Sequence, residues 1–172
     1  MKKGILLIAV LGMFNVVAVQ AQNSMADRLE FAPKSAIFGP REFSLDLFGG
    51  YATRDKGGAD NDAAGPGIGI NYFFTENFGI GADTYSDAFE PPYLLNASGI
   101  FRYPVGGSGF APYGFAGFGR QWDHAAQWLG HIGAGAEYRF NAHTGFFVDA
   151  RRVFAGNTSD FALWRFGFRI AF

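Results

Sequence analysis

The sequence predicts an all-β fold: an eight-stranded antiparallel transmembrane up-and-down β-barrel preceded by a cleaved signal peptide. Three observations predict it. Eight stretches, each about as long as a tilted membrane-crossing strand of ~9–11 residues, alternate apolar residues with polar, small or charged ones. Aromatic residues make up 18% of the 172, with 21 Phe and 25 Gly, yet no long apolar run follows the amino terminus. The connections alternate between short, turn-rich segments and longer polar ones. A chain of this kind satisfies its backbone in a bilayer by pairing strand to strand in a closed barrel. Because one face of each strand stays polar or small, average hydropathy remains low, and here it is +0.05.

At the amino terminus, Lys2 and Lys3 precede an apolar run over 4–19 broken only by Asn15, and Val19-Gln20-Ala21 places small or aliphatic residues where a signal peptidase reads. That pattern is a removable signal peptide over 1–21 rather than a retained helix, so mature protein is expected to begin at Gln22. Removal leaves 12 basic and 15 acidic residues, too little positive charge to suggest a nucleic-acid partner. Without Cys there is no disulfide framework, zinc-thiolate site or thiol nucleophile. Residues 22–40, with Pro33, Gly39 and Pro40, read as a periplasmic lead-in, and 41–172 as a single barrel domain.

The strands follow in order. Over 42–53, Phe43, Leu45, Leu47 and Tyr51 alternate with Ser44, Asp46 and Gly50. Over 64–74, Ile68, Ile70, Tyr72 and Phe74 alternate with Gly67, Gly69 and Asn71. Over 77–86, Phe78, Ile80 and Ala82 oppose Gly79, Gly81 and Asp83. Over 92–103, Tyr93, Leu95, Ala97, Phe101 and Tyr103 oppose Asn96, Ser98 and Arg102. Over 110–120, Ala111, Tyr113 and Phe115 are expected outside, with Gly114, Ala116 and Arg120 inside. Over 128–140, Trp128, Ile132, Ala134, Tyr138 and Phe140 oppose His131, Glu137 and Arg139. Over 144–154, Phe146, Val148, Ala150 and Phe154 oppose Asp149 and Arg151; over 161–172, Trp164, Phe166, Phe168, Ile170 and Phe172 oppose Arg165, Gly167 and Arg169.

The short connections at 75–76, 104–109 and 141–143 are of the periplasmic type, and the longer ones at 54–63, 87–91, 121–127 and 155–160 of the extracellular type. An even strand number then returns both ends to the periplasm. Tyr51, Tyr72, Tyr85, Tyr93, Tyr103, Tyr113, Trp122, Trp128 and Tyr138 lie towards strand ends, where an interfacial aromatic girdle sits. A soluble lipocalin-like barrel, the structural alternative, would turn its charges outward; here the mid-strand charges are expected to share the inner face.

The stretches "APYGFAGFG", "HIGAGAEYRFNAHTGFFVDARRVF" and the closing "FALWRFGFRIAF" resemble the small outer-membrane β-barrel superfamily, which includes the transmembrane domain of OmpA-type proteins and the OmpX-like barrels. The resemblance covers nearly the whole mature chain and implies outer-membrane localisation in a Gram-negative-type bacterium. It also implies lipid and lipopolysaccharide as surroundings, and a carboxyl-terminal aromatic, Phe172, that belongs to the signal read by the barrel assembly machinery. The sequence departs from OmpA-type proteins by stopping at the eighth strand, so a peptidoglycan-binding domain and cell-wall tethering are not expected.

The inner face is the chemically informative one. It is expected to gather Arg102, Arg120, Arg139, Arg151, Arg165 and Arg169 with Asp46, Asp83, Glu137 and Asp149. An eight-stranded barrel is about wide enough for its own side chains to fill, and buried charges must be paired, for which the Arg fork suits carboxylates. The expectation is a non-enzymatic barrel with a structural or surface-interaction role and an ion-pair plug; the alternatives are a narrow pore and a lipid-modifying or proteolytic enzyme. Six Arg against four carboxylates leave a positive surplus for anions, water or the lead-in to balance. Lipid A deacylases of the PagL type carry a His-x-Ser pair on a late strand, whereas this chain has neither at 151–157. Asp123-His124 would be an omptin-like pair but has no second carboxylate at motif spacing. His131 reads as part of the inner polar network and His143 as a turn residue, and no metal or cofactor is expected. Asp55, Asp60, Asp62, Asp87, Glu90, Asp123 and Asp160 outweigh Arg54 and Lys56 in the longer loops, which favours solubility, with weak divalent-cation binding as the sharper reading. Gly57-Gly58 and Gly65-Pro66-Gly67 match no phosphate-loop pattern.

Overall fold

A computed structural model describes residues 37–54, 62–86, 94–122, 126–156 and 160–172. The expected signal peptide, the start at Gln22 and most of the lead-in lie outside the described residues. So do Asp55, Lys56, Gly57, Gly58, Asp60, Asp87, Glu90, Tyr93, Asp123 and His124. Eight strands follow one another: β1 (Glu42–Arg54), β2 (Ala63–Phe73), β3 (Phe78–Tyr85), β4 (Leu94–Arg102), β5 (Phe110–Gln121), β6 (Gln127–Arg139), β7 (Thr144–Ala155) and β8 (Phe161–Ala171). Each pairs antiparallel with its neighbour in the chain, and β1 also pairs with β8, from Ser44 opposite Ala171 to Arg54 opposite Phe161. Closure removes the edges at which another chain would add. All eight strands fall within two residues of the expected bounds.

The tight connections are made by residues suited to turns. The Thr75 hydroxyl accepts hydrogen bonds from the backbone N–H of Asn77 and Phe78. The Asn141 carboxamide oxygen does the same for His143 and Thr144, both being side-chain mimics of a backbone turn. Between β4 and β5, Gly106 and Gly107 take φ of 39° and 72°, values that a side chain disfavours. These three turns lie at the same end as both described termini, the terminal end. The longer connections lie at the other, the loop end.

Alternation places Phe43, Leu47, Tyr51, Ile68, Leu95, Trp128, Ile132, Trp164, Phe166 and Phe168 on the outside, all strongly exposed. In β5 the faces are reversed from the expectation. Ala111, Tyr113 and Phe115 are buried inside the barrel, while Phe110 and Phe118 are exposed and Ala116 and Arg120 share their parity. The reason lies in the facing strands. The Phe115 ring covers the inner side of Gly133, where a Cβ would approach it to 2.3 Å, and Tyr113 donates a hydrogen bond from its hydroxyl to Asp149 at 2.7 Å. Inward glycines thus make the room that inward aromatics fill, as Phe48 does over Gly67 and Gly167. The girdle is corrected likewise. Tyr85 is 1% exposed and Tyr113 7%, both in the lumen, whereas Tyr51, Tyr103, Trp122, Trp128 and Tyr138 face outward.

The interior is layered. At the loop end it is apolar, with Tyr85, Leu94, Leu129, Val153 and Leu163 almost fully buried. The charged residues fill the middle and the terminal end, and Phe38, wholly buried, enters the terminal mouth.

Candidate functional site

Inward positions are fixed by strand parity, so the charged side chains converge from six strands on one axis. Towards the terminal end, Glu42 of β1 accepts from Arg102 of β4 at 2.9 Å and from Arg139 of β6 at 2.6 Å. Arg139 also pairs with Glu137. Glu137 in turn accepts from Arg169 of β8 at 2.6 Å and lies 3.7 Å from Arg102. Arg169 reaches Asp46 through two hydrogen bonds of 2.7 Å each. Three guanidinium groups and three carboxylates balance in this cluster.

A second cluster lies deeper. Asp83 of β3 accepts from Arg151 at 2.7 Å and lies 3.2 Å from Arg165, which is also held by Asp149 at 2.8 Å. Two cations meet two anions. Neutral groups saturate the remaining oxygens: Asn71 donates to Asp46, Asn96 to Asp83 and Tyr113 to Asp149. The flat faces of the guanidinium groups rest on aromatic rings, Arg102 at 3.7 Å from the centre of Phe73 and Arg165 at 5.0 Å from that of Phe48. Cation–π contact of this kind strengthens once water is excluded. Breaking one pair at this depth strands the other ion, and two donors of the clusters, Nη2 of Arg102 and Nε of Arg151, are themselves buried without a hydrogen-bond partner among the described residues.

Of the residues expected in the network, Asp46, Asp83, Arg102, Glu137, Arg139, Asp149, Arg151, Arg165 and Arg169 lie in these two clusters. Arg120 does not. It stands on the outward face opposite Leu95 and Trp128, 5.2 Å from the centre of the Trp128 ring. Its place is taken by Glu42, which sequence reasoning placed on β1 but left out of the network. Shared parity with Ser44 and Asp46 was the signal for it. The exchange replaces the expected positive surplus with five cations against five anions.

Phe38 was not foreseen, whereas Ser98 and His131 stand on the inner polar face where they were expected. Phe38 sits under Arg102 and Arg139, with ring-centre distances of 4.7 and 4.9 Å. The chain reaches that position through Arg41, whose φ of 61° turns the segment back into the mouth. Ser98 and His131 lie together in the lumen, Oγ and Nε2 2.9 Å apart. Beside them, the space left among Asp46, Asn71, Asp83, Ser98 and the arginines is a cavity of about 20 Å³, room for a single water. His143, in its turn, sits 3.1 Å from the carbonyl oxygen of Ala171. Phe172 is 70% exposed and exchanges backbone hydrogen bonds with Phe43 across the seam. In the loops, Asp62 accepts from the Tyr51 hydroxyl at 2.6 Å, and Asp160 lies 4.0 Å from Arg152.

No protein-family model and no curated protein matches the sequence. Among solved structures, the fold is similar to the N-terminal β-barrel domain of OprF from Pseudomonas aeruginosa, with 21% identity, a TM-score of 0.55, and 78% of this chain and 99% of that one covered. OprG of the same organism aligns over 81% of this chain and 99% of its own, with 13% identity and a TM-score of 0.57. Ail of Yersinia pestis aligns over 77% and 99%, with 15% identity and a TM-score of 0.54. With its eight strands closed in simple antiparallel order, the chain has the fold of the small outer-membrane β-barrels of the OmpA and OmpX type.

Proposed function

We propose that this protein is a non-enzymatic outer-membrane barrel with a structural or surface-interaction role, its interior closed by ion pairs. The observation that supports this most is the lumen itself. Two neutral clusters of Arg and carboxylate span it, an apolar layer caps them towards the loop end, and the inner cavity among them admits about one water molecule. Such an interior leaves no path for hydrated ions. The Ser98–His131 pair has the composition of a nucleophile and its base, but both side chains are buried where neither lipid nor peptide has room to bind.

In this reading the chain is exported by the signal peptide over 1–21, and is inserted by the barrel assembly machinery with Phe172 as part of the signal. It then sits in outer-membrane lipid beside lipopolysaccharide, with its longer connections outside. Amino-terminal sequencing of membrane-extracted protein is expected to begin at Gln22, and recovery of Met1 would remove the export step. Planar-bilayer recording tests the closed lumen. The wild type should show no steady conductance, and regular open events that change size when Arg151 is replaced by Gln would establish a pore instead.

A further inference from the structure

Where the chain enters β1, the segment from Ile37 to Arg41 lies over the terminal mouth. Phe38 is its buried residue, with no exposure, and its ring rests against the guanidinium groups of Arg102 and Arg139 at 4.7 and 4.9 Å. Apolar burial and cation–π contact hold it there.

Three features oppose that contact. Arg41 holds φ at 61°, in the left-handed region that is unfavourable for a residue with a side chain. Nη2 of Arg102 is buried with no hydrogen-bond partner among the described residues, and a donor left in that state is destabilising relative to one that meets water. Ordering the segment also carries an entropy cost. The ion pairs of the terminal cluster do not depend on the segment in return. Glu42 is held by Arg102 and Arg139, and Glu137 by Arg139 and Arg169, all of them strand residues. Beside the segment lies a cavity of about 240 Å³, bordered by Arg41, His143, Ala171 and Phe172, which gives an aromatic side chain room to swing aside.

We propose that this segment is a releasable strap: Phe38 leaves the mouth while the barrel stays closed, and water reaches Arg102, Arg139 and Glu42 from the terminal side. The deeper cluster of Asp83, Asp149, Arg151 and Arg165 and the apolar layer at the loop end stay in place, so release makes a water-filled vestibule and no through path. The strap adds a moving part to the closed lumen proposed above. Conductance tests that closure. The strap is tested separately, by exchange of arginine side-chain protons with water.

The Nε–H groups of three arginines are all bonded when the strap is seated: Arg102 to the carbonyl oxygen of Glu76, Arg139 to Glu137 and Arg165 to Asp149. Their exchange is followed by NMR on the folded protein in detergent micelles. In the wild type, Arg102 and Arg139 should exchange about tenfold faster than Arg165, the factor equivalent to ~1.4 kcal/mol, because a local opening takes less free energy than global unfolding. Position 41 should move that rate in both directions. Arg41→Gly accepts the positive φ and should slow exchange at Arg102 and Arg139 about fivefold, the equivalent of ~1 kcal/mol of relieved backbone strain. Arg41→Pro fixes φ at about −65°, cannot turn the chain into the mouth, and should speed exchange about tenfold, as should Phe38→Ala. Arg165 should not change in any variant, and heat-dependent gel mobility should show all of them folded. Exchange at Arg102 and Arg139 as slow as at Arg165 in the wild type would overturn the proposal, a result that needs no variant. So would rates that ignore the residue at position 41, or a parallel rise at all three arginines, which would mark loosening of the whole barrel.

Discussion

Glu137 is the residue on which the terminal cluster turns. Fully buried, it faces Arg102, Arg139 and Arg169 at once, so its loss strands more charge than any single Arg would. Glu137→Ala is expected to destabilise the barrel by roughly 3–5 kcal/mol, the cost of breaking a buried pair. Ile132→Ala, on the same strand but 56% exposed outward, should lose only packing and transfer terms and shift the denaturant midpoint much less. Equal midpoints for the two variants would show that water relieves the lumen charges. At this scale the sequence was legible wherever a charge sat in the middle of a strand. It was less plain for Glu42, whose parity with Ser44 and Asp46 points inward, because a charge at the first position of a strand also reads as a loop residue. Phe38 was not legible, because nothing in a short Pro- and Gly-containing segment says that it will fold back into the mouth.

Among the elements, seven strands could be assigned faces from alternation alone, and β5 could not. Its sequence FAPYGFAGFGRQ carries two aromatics on each parity, Tyr113 and Phe115 on one and Phe110 and Phe118 on the other, so hydrophobicity gives no direction. Taking Arg120 as an inward residue turns the whole strand, since a change of one residue exchanges the faces. What settles the direction is on other strands: Gly133, which makes room for Phe115, and Asp149, which accepts from Tyr113. The absence of Cys from the chain makes a direct test simple. Ala116→Cys should react with a membrane-soluble maleimide in the folded barrel, while Ala111→Cys, at a position with no exposure, should react only after unfolding. The opposite pattern would restore the orientation expected from sequence.

For the molecule as a whole, the β1–β8 seam is where closure is completed, and Phe172 lies on it, bonded to Phe43 through the backbone and 6.1 Å from its ring. Phe168 is similarly exposed but lies inside the paired region. Each side chain is worth ~1.5–3 kcal/mol of apolar burial, so a purely local effect would make Phe172→Ser and Phe168→Ser alike. The assembly role carried by the resemblance predicts a larger loss of folded barrel in the outer membrane for Phe172→Ser, measured by heat-modifiable mobility of membrane extracts. Equal losses would leave Phe172 as ordinary lipid contact.

Asp46–Arg169 and Asp149–Arg165 join neighbouring strands, but other ion pairs do not follow the order of the sheet. Glu42 on β1 reaches β4 and β6, Glu137 on β6 reaches β4 and β8, and Asp83 on β3 reaches β7 and β8. They run as spokes across a wheel whose rim is the hydrogen-bonded sheet. A rim alone can be opened at any joint and could unzip from the break. With spokes, six of the eight strands are braced across the lumen, and an open ribbon has no way to satisfy those pairs. Circularisation and charge neutralisation therefore happen together, and the barrel should come apart in one cooperative transition. Amide exchange at the β1–β8 joint would then share the protection of the strands opposite it.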